Sequence, residues 1–355
     1  MSTTSTGTLQ VRARSNISQR IIAAGILVAF LYWASTFIIT LLISVLIAYF
    51  LDPVVEWMER FRIPRATGAL IVLLVGSFLL GLIFWAAWLR VEDFITNWPT
   101  YRQPLQRVTS ALKERMDSIE SRIKEVQGED KQGRLLVEVR EESMLKGLLT
   151  RGLGSAYVIF LSASFVPFLV FFMLAERQDI WHATMQLFPP TERTRVKVAL
   201  EDLGAMLRSY IVGNFVVAVI LGVASSLFFW MIGLGNPLLA GMVSGASNLI
   251  PYLGTVVAWL PPLVVGLATF KSWEPFVGIA VVLTFMHLVA VNVLIPALVG
   301  RQVHLNALAV TIALLFWGWM WGGAGLILGI PITAAVKVLC DHVEQWKPFG
   351  RWLGT

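Results

Sequence analysis

Charge is scarce in this chain and cysteine almost missing. Acidic and basic side chains make up 14% of the 355 residues, against about 25% in an ordinary soluble domain. The one cysteine, Cys340, excludes an internal disulfide framework and a metal-thiolate cluster. No Ser/His/Asp spacing, metal-ligand cluster or phosphate-cradling glycine loop is present, so no catalytic centre, metal or cofactor is expected. The net charge of +6 is absorbed by basic residues at the ends of apolar runs, which leaves no case for nucleic acid as a partner. Nor is a cleaved signal peptide expected. The basic, Ser/Thr-rich residues 1–20 lead into an apolar run of 31 residues, with no small-residue cleavage site behind a short hydrophobic region.

Apolar side chains fill the remainder. Hydrophobic residues reach 57%, tryptophans number 14 and mean hydropathy is +0.73, the composition of an all-α polytopic protein embedded in a lipid bilayer. Long apolar runs occupy 21–51, 66–89, 152–174, 209–233 and 275–298. The first is either one long tilted helix or two short helices joined near Ser35-Thr36. Arg12, Arg14 and Arg20 precede it and Arg60, Arg62 and Arg65 follow it, so the positive-inside rule puts both flanks in the cytoplasm and favours two short passes. Asp52-Pro53 reads as the N-cap and first turn of a new interfacial helix over 52–65. Pro167 is expected to kink the run 152–174. A cytoplasmic helix starting at Phe188-Pro189-Pro190-Thr191 carries Arg193, Arg195, Lys197 and Arg208.

Residues 91–151 differ, with eleven Lys/Arg and eleven Asp/Glu. Within them Ile95, Trp98, Tyr101, Leu105, Val108, Leu112, Met116, Ile119, Ile123 and Val126 recur every three or four positions, a heptad-like stripe on a long amphipathic helix. Pass counting makes this segment extracytoplasmic. The stripe needs cover, either from Leu135–Leu149 or from the same helix of another subunit, which points to a homo-oligomer. The chain thus divides into a cytoplasmic N-tail (1–20), N-terminal membrane helices (21–90), the polar segment (91–151), a membrane helix plus cytoplasmic helix (152–208), a core (209–338) and a cytoplasmic C-tail (339–355). Segments assigned inside carry 15 Lys/Arg, against Lys271 alone in the short outside loops.

Within the core, two apolar stretches are broken in their middles. One contains Ser244 to Gly254 with Pro251, then Pro261-Pro262; the other contains Phe316 to Gly325 and then Pro331. A crossing helix needs about 20 apolar residues, and the limbs beside each break are shorter. Each stretch therefore reads as a re-entrant helical hairpin, over 237–270 and 305–337, giving about eight hydrophobic segments in all. Irregular backbone at membrane depth is tolerated only against protein or a wet cavity, and such paired interruptions mark a transporter's binding site. At an offset of 70 residues Asn236 matches Asn306, Leu238 matches Leu308 and Pro261 matches Pro331, a weak internal repeat.

Several stretches together resemble the autoinducer-2 exporter family of PerM-like permeases. They are Tyr49 to Val55 with Ile63-Pro64-Arg65, Pro189-Pro190, Tyr210-Ile211-Val212-Gly213, Ile250-Pro251-Tyr252-Leu253-Gly254 with Pro261, Pro296 to Arg301 through Asn306, and Gly322 to Pro331. Ala307 stands where the family usually has Pro. The resemblance implies an eight-segment protein of the bacterial inner membrane, assembled as a homo-oligomer such as a pentamer. It also implies export of autoinducer-2 or, in other members, sodium(lithium)/proton antiport.

No Asp, Glu, Lys or Arg lies inside an assigned span, and His287 is the one ionisable group near mid-membrane. That counts against proton antiport, which usually needs a titrating carboxylate in the pathway. A small, neutral, hydroxylated solute needs uncharged donors and acceptors. Asn214, Asn248, Tyr252, Thr255, Thr284, His287 and Asn292 supply them, together with backbone freed around Pro251, Gly254, Gly322, Gly323 and Gly325. Blander roles compete: His287 bonding Thr284, Asn292 bonding a neighbouring helix, and Trp317, Trp319 and Trp321 forming an interfacial belt rather than a stacking surface. The expected partners are a small polar solute, a coupling ion and the bilayer. A non-transporting scaffold built on residues 95–126 is the reading from another class.

Overall fold

A computed structural model describes residues 17–96, 110, 113–119, 164–250, 253–299 and 305–354. Among these every regular element is helical: α1 Ile17–Trp33, α2 Ser35–Glu59, α3 Arg65–Thr96, α4 Ser164–Ala175, α5 Arg177–Gln186, α6 Arg193–Met231, α7 Pro237–Ser247, α8 Leu253–Thr269, α9 Glu274–Leu298, α10 Ala307–His342 and α11 Lys347–Leu353. Five of them (α2, α3, α6, α9 and α10) are long and apolar enough to cross a membrane. Most of the amphipathic stripe lies outside the described residues; Met116 and Ile119, within them, are exposed.

Residues 21–51 do form two helices, but the chain does not double back between them. Ala34 N donates to Phe30 O at 2.8 Å and Ile38 N to Ala34 O at 3.0 Å, so hydrogen bonding carries through the junction and the helix is interrupted only at Ala34. The two-pass reading required a reversal there. The expected restart at Asp52 is also not made, because α2 runs through Asp52-Pro53 to Glu59. Proline forfeits one backbone hydrogen bond, a loss offset here by burial, since Val55 and Asp52 are both enclosed. The turn to α3 is closed instead by Arg62, in a left-handed conformation with φ 63°. Likewise α6 fuses the expected cytoplasmic helix and the following pass into one rod of 39 residues.

Both interrupted stretches fold as antiparallel helical hairpins. In the first, α7 and α8 are joined by Ser244 Oγ donating to Ala258 O at 2.6 Å and by Gly235 N donating to Thr269 Oγ1 at 3.3 Å. At its tip Gly254 lies so close on the Ser247 carbonyl that no Cβ fits. In the second, α10 breaks at Gly322 (φ 58°, ψ −134°). There Trp317 Nε1 donates to Thr333 Oγ1 at 3.2 Å; in a straight helix sixteen residues span about 24 Å. The fold-back is therefore real, although by length α10 alone could pass for one crossing helix.

The hairpins are seated on the two long helices α2 and α6. On α6, Ala218, Gly222 and Ser226 face Gly241 and Gly245 of α7 with no space for a Cβ at either glycine, the close approach that small residues permit. On α1 and α2, Leu31, Ile39, Leu42 and Leu46 pack against Met320, Trp321 and Leu328 of the second hairpin, and Trp321 Nε1 donates to Leu31 O at 3.1 Å. Met206 and Leu207 of α6 meet Ala334 of α10 and Tyr49 of α2, which closes the scaffold.

Candidate functional site

Where the first hairpin meets α6 and α9 a small, half-open cavity remains, its centre roughly the size of one water. α6 contributes Leu221 and Ser225; the hairpin contributes Ser244, Asn248, Thr255, Ala258 and Trp259; α9 contributes Leu283, Met286 and His287. Position along each helix explains the set. Ser244 and Asn248 lie one turn apart on α7, Thr255 and Trp259 one turn apart on α8, and Leu283 and His287 one turn apart on α9, so each helix turns one stripe toward the cavity.

Hydrogen bonds hold this lining in place. Thr255 Oγ1 and His287 Nδ1 lie 3.0 Å apart and tie the hairpin to α9. Asn248 Nδ2 donates to Ser244 O at 2.9 Å, and Ser225 Oγ lies 3.5 Å from Met286 Sδ. No charged side chain lines the cavity among the described residues. Three carbon-rich walls, Trp259, Leu283 and Met286, stand beside hydroxyl, amide and imidazole groups. Such a lining suits a neutral polar solute with some apolar surface. His287 lies three residues before a π-helical turn, Ala290–Leu294, an irregularity often found at functional positions.

Of the residues picked out in the sequence, Asn248, Thr255 and His287 meet in this cavity, and Gly254 is buried at the hairpin tip beside it. Pro251 and Tyr252 lie outside the described residues. The others do not join the cavity. Asn214 donates to Tyr210 O and Asn292 to Leu288 O, each along its own helix, and Thr284 is exposed on another face of α9. His287 takes Thr255 as its partner rather than Thr284. Gly322, Gly323 and Gly325 belong to the second hairpin. The first two are exposed at its tip, while Gly325 packs against the Trp317 carbonyl. Trp317 and Trp321 are neither belt nor stacking surface: both are bonded internally, and Trp319 alone is exposed.

Sequence reasoning missed Ser225, Ser244, Trp259 and Met286. The signal was available for Ser244, which sits one turn before Asn248 on the same face. It also missed a charged junction at the far end of α2. Asp52 is 4% exposed and lies 2.7 Å from Arg65 Nη2 and 2.6 Å from Arg177 Nη1, with Arg208 at 3.8 Å. Glu56 pairs with Arg177 at 2.7 Å and Arg208 at 3.2 Å, and Glu59 with Arg65 at 2.9 Å. Arg65 Nε also donates to the Leu174 carbonyl near the end of α4. Burial pulls the Arg177 guanidinium down, but the Glu56 hydrogen bond and the Asp52 charge outweigh it and hold it above its ordinary value. This network joins α2, α3, α4, α5 and α6. The spacing Asp52, Glu56, Glu59 is one helical face, a pattern legible before the fold was known.

The profile of the AI-2E family transporters matches residues 21–345. YrrI of Bacillus subtilis (strain 168), which carries the provisional name of a transport protein, is 30% identical over 327 residues, 88% of each chain. The AI-2 transport protein TqsA of Escherichia coli (strain K12) is 26% identical over 314 residues, 87% of each chain. Apolar helices long enough to span a bilayer, an uncharged cavity between a hairpin and its neighbours, and a match over nearly the whole chain agree: this membrane protein belongs to the AI-2E family of transporters.

Proposed function

We propose that this protein is a secondary carrier that exports a small, uncharged, polyhydroxylated solute of the autoinducer-2 kind by alternating access. The observation that carries this reading is the Thr255–His287 bond, which ties the first hairpin to α9 across a charge-free cavity. A cavity of water size is too small for such a solute, whose site needs about 300 Å³ or more. Loading therefore requires the hairpin to draw away from α9, and the solute's hydroxyl groups then replace the bond that the two side chains make with each other. The second hairpin, folded at Gly322 and seated on α1 and α2, is the static counterpart against which the first moves.

In this reading both hairpins are re-entrant, bringing the count to about eight hydrophobic segments, and the carrier is a homo-oligomer of the bacterial inner membrane. The Asp52 junction and the C-terminus face the cytoplasm. That side is supported by the concentration of Arg60, Arg62, Arg193, Arg195, Lys347 and Arg351 at one end of the scaffold. Coupling through a carboxylate in the cavity finds no support, because the lining has none among the described residues.

The test is efflux of labelled autoinducer-2 from proteoliposomes. Thr255→Val and His287→Gln are each expected to lower efflux at least about tenfold, the loss of roughly one charge-free hydrogen bond to the solute or more, with membrane insertion unchanged. Undiminished efflux in both variants would remove the cavity from the pathway.

A further inference from the structure

The C-terminal helix α11 carries two kinds of surface. Gly350 and Leu353 are buried, whereas Phe349 and Trp352 are about half exposed and stack on each other with ring centroids 6.0 Å apart. Trp346, just before the helix, is exposed as well, and Arg351 is exposed among these rings. Lys347, on the first turn, is balanced by Glu344 at 2.8 Å. A soluble surface rarely leaves three large aromatic rings exposed around a short basic helix. Rings of this kind are favoured at the headgroup level of a bilayer, where one edge is apolar and the other wet.

The buried face of α11 leads into the second hairpin. Asn306 caps the start of that hairpin, its Oδ1 accepting from Ala309 N, and its amide nitrogen is bonded elsewhere. Asn306 Nδ2 donates to Trp352 O at 2.7 Å and Asn306 N to Leu353 O at 2.8 Å. Gly350 presses against the Asp341 side chain with no space for a Cβ. Asp341 in turn holds the buried Lys337 of the hairpin's second limb at 2.6 Å. One short helix therefore binds both feet of the hairpin, the start at Asn306 and the end at Asp341.

The same end of the molecule presents a second patch of matching chemistry. α2 and the second limb of α10 run side by side in the same direction, Leu46 and Tyr49 meeting Ala334 and Val338, so the end of α2 lies level with α11. There Trp57 and Phe61 are exposed with ring centroids 4.8 Å apart, beside exposed Arg60 and Arg62. Two aromatic–cationic patches at the same end of the molecule have the chemistry that an anionic headgroup layer complements.

We propose that α11 docks in the anionic headgroup layer of the bilayer and, through Asn306 and Asp341, makes the anchoring of the second hairpin depend on that layer's charge. Aromatic rings set the depth of docking and the exposed Arg351 sets its preference for anionic lipid. Because α11 grips both feet of the hairpin, undocking it loosens the hairpin's base while leaving the Gly322 tip and its seat on α2 in place. The inference concerns anchoring alone and does not depend on what the cavity carries.

Two measurements on the full chain in vesicles decide it, both free of any transport readout. A spin label at Phe349→Cys in a Cys340→Ser background is expected to be more accessible to membrane-dissolved oxygen than to a water-soluble nickel chelate; the reverse order would overturn docking. Amide hydrogen exchange over 305–342 is then compared in phosphatidylcholine vesicles and in mixed phosphatidylcholine–phosphatidylglycerol vesicles. Exchange is expected to be about fivefold slower in the anionic vesicles for the native chain, on the scale of one basic residue engaging an anionic surface, and this difference is expected to vanish in Arg351→Gln. Equal exchange in both lipids, or a difference that survives that substitution, would overturn the dependence on lipid charge. A Phe349→Ser/Trp352→Ser variant, altered only at exposed positions, is expected to lose depth at residue 351 when that site carries the label; unchanged depth would contradict the role given to the rings.

Discussion

The two hairpins share a plan and differ in content. Each opens after an asparagine, turns about 15 residues later and carries a proline in its second limb, Pro261 in one and Pro331 in the other. Yet the inner faces of the first supply Ser244, Asn248 and Thr255 to a cavity, whereas those of the second are filled by Trp317 packed on Gly325 and Gly329 and bonded to Thr333. The asparagines differ too: Asn306 caps its helix with a side-chain bond, while Asn236 adopts a left-handed conformation and makes none. A hairpin that keeps hydroxyl and amide groups toward its neighbours can exchange them for a solute. One filled with tryptophan makes a rigid seat.

The sharpest way to break this comparison is to fill the first hairpin's seat on α6. Gly245→Leu has no space against Gly222 and Ala218, so overpacking is expected to destabilise by 3 kcal/mol or more, at about the upper end for forced cores, and to abolish folded protein on size-exclusion chromatography. Gly323→Ala at the second hairpin's tip meets nothing within 4 Å and is expected to be silent in the same assay. Next comes the junction that ties the scaffold together. Asp52→Ala leaves Arg65 and Arg177 without their shared buried partner, and because Arg177 is itself 44% exposed the expected loss is about 2–3 kcal/mol, read as a drop in thermal melting in detergent. Trp317→Phe removes the bond to Thr333 and part of the ring packing against Trp321 and Gly329, and is expected to cost about 1–3 kcal/mol with efflux unchanged. Reduced efflux there would place the second hairpin in the pathway as well. Asn292→Ala, which loses an exposed bond to its own helix, is expected to change stability by less than about 0.5 kcal/mol.

Much of the hairpin geometry was legible because Gly and Pro interrupt apolar runs for reasons local to the backbone. α7 and α8 cover residues 237–247 and 253–269, and α10 covers 307–342 with its break at Gly322; entry and exit of each on one side of the membrane belong to the proposed function. Which hairpin would hold the polar cavity was not legible, since that depends on partners distant in sequence. Thr255 and His287 are 32 positions apart, and Ser225 comes from α6. The restart expected at Asp52 failed for a similar reason. Locally Asp-Pro favours a cap, but Arg65, Arg177 and Arg208 converge on Asp52 from three other elements and hold it inside a continuous helix. Asn214 and Asn292 carry the uncharged donors that a hydroxylated solute needs, but each satisfies its amide on the preceding turn of its own helix, an outlet available to any asparagine in a helix.

The account stands on the first hairpin separating from α9 each time a solute passes. The direct measurement places Thr255→Cys and His287→Cys together in a Cys340→Ser background and joins them with a short, reducible bis-thiosulfonate bridge. With the bridge in place labelled autoinducer-2 is expected to stay inside proteoliposomes, and reduction of the bridge is expected to restore the slower efflux that the unbridged double-cysteine chain shows. Efflux with the bridge intact at the same rate as in the unbridged double-cysteine chain would contradict the account.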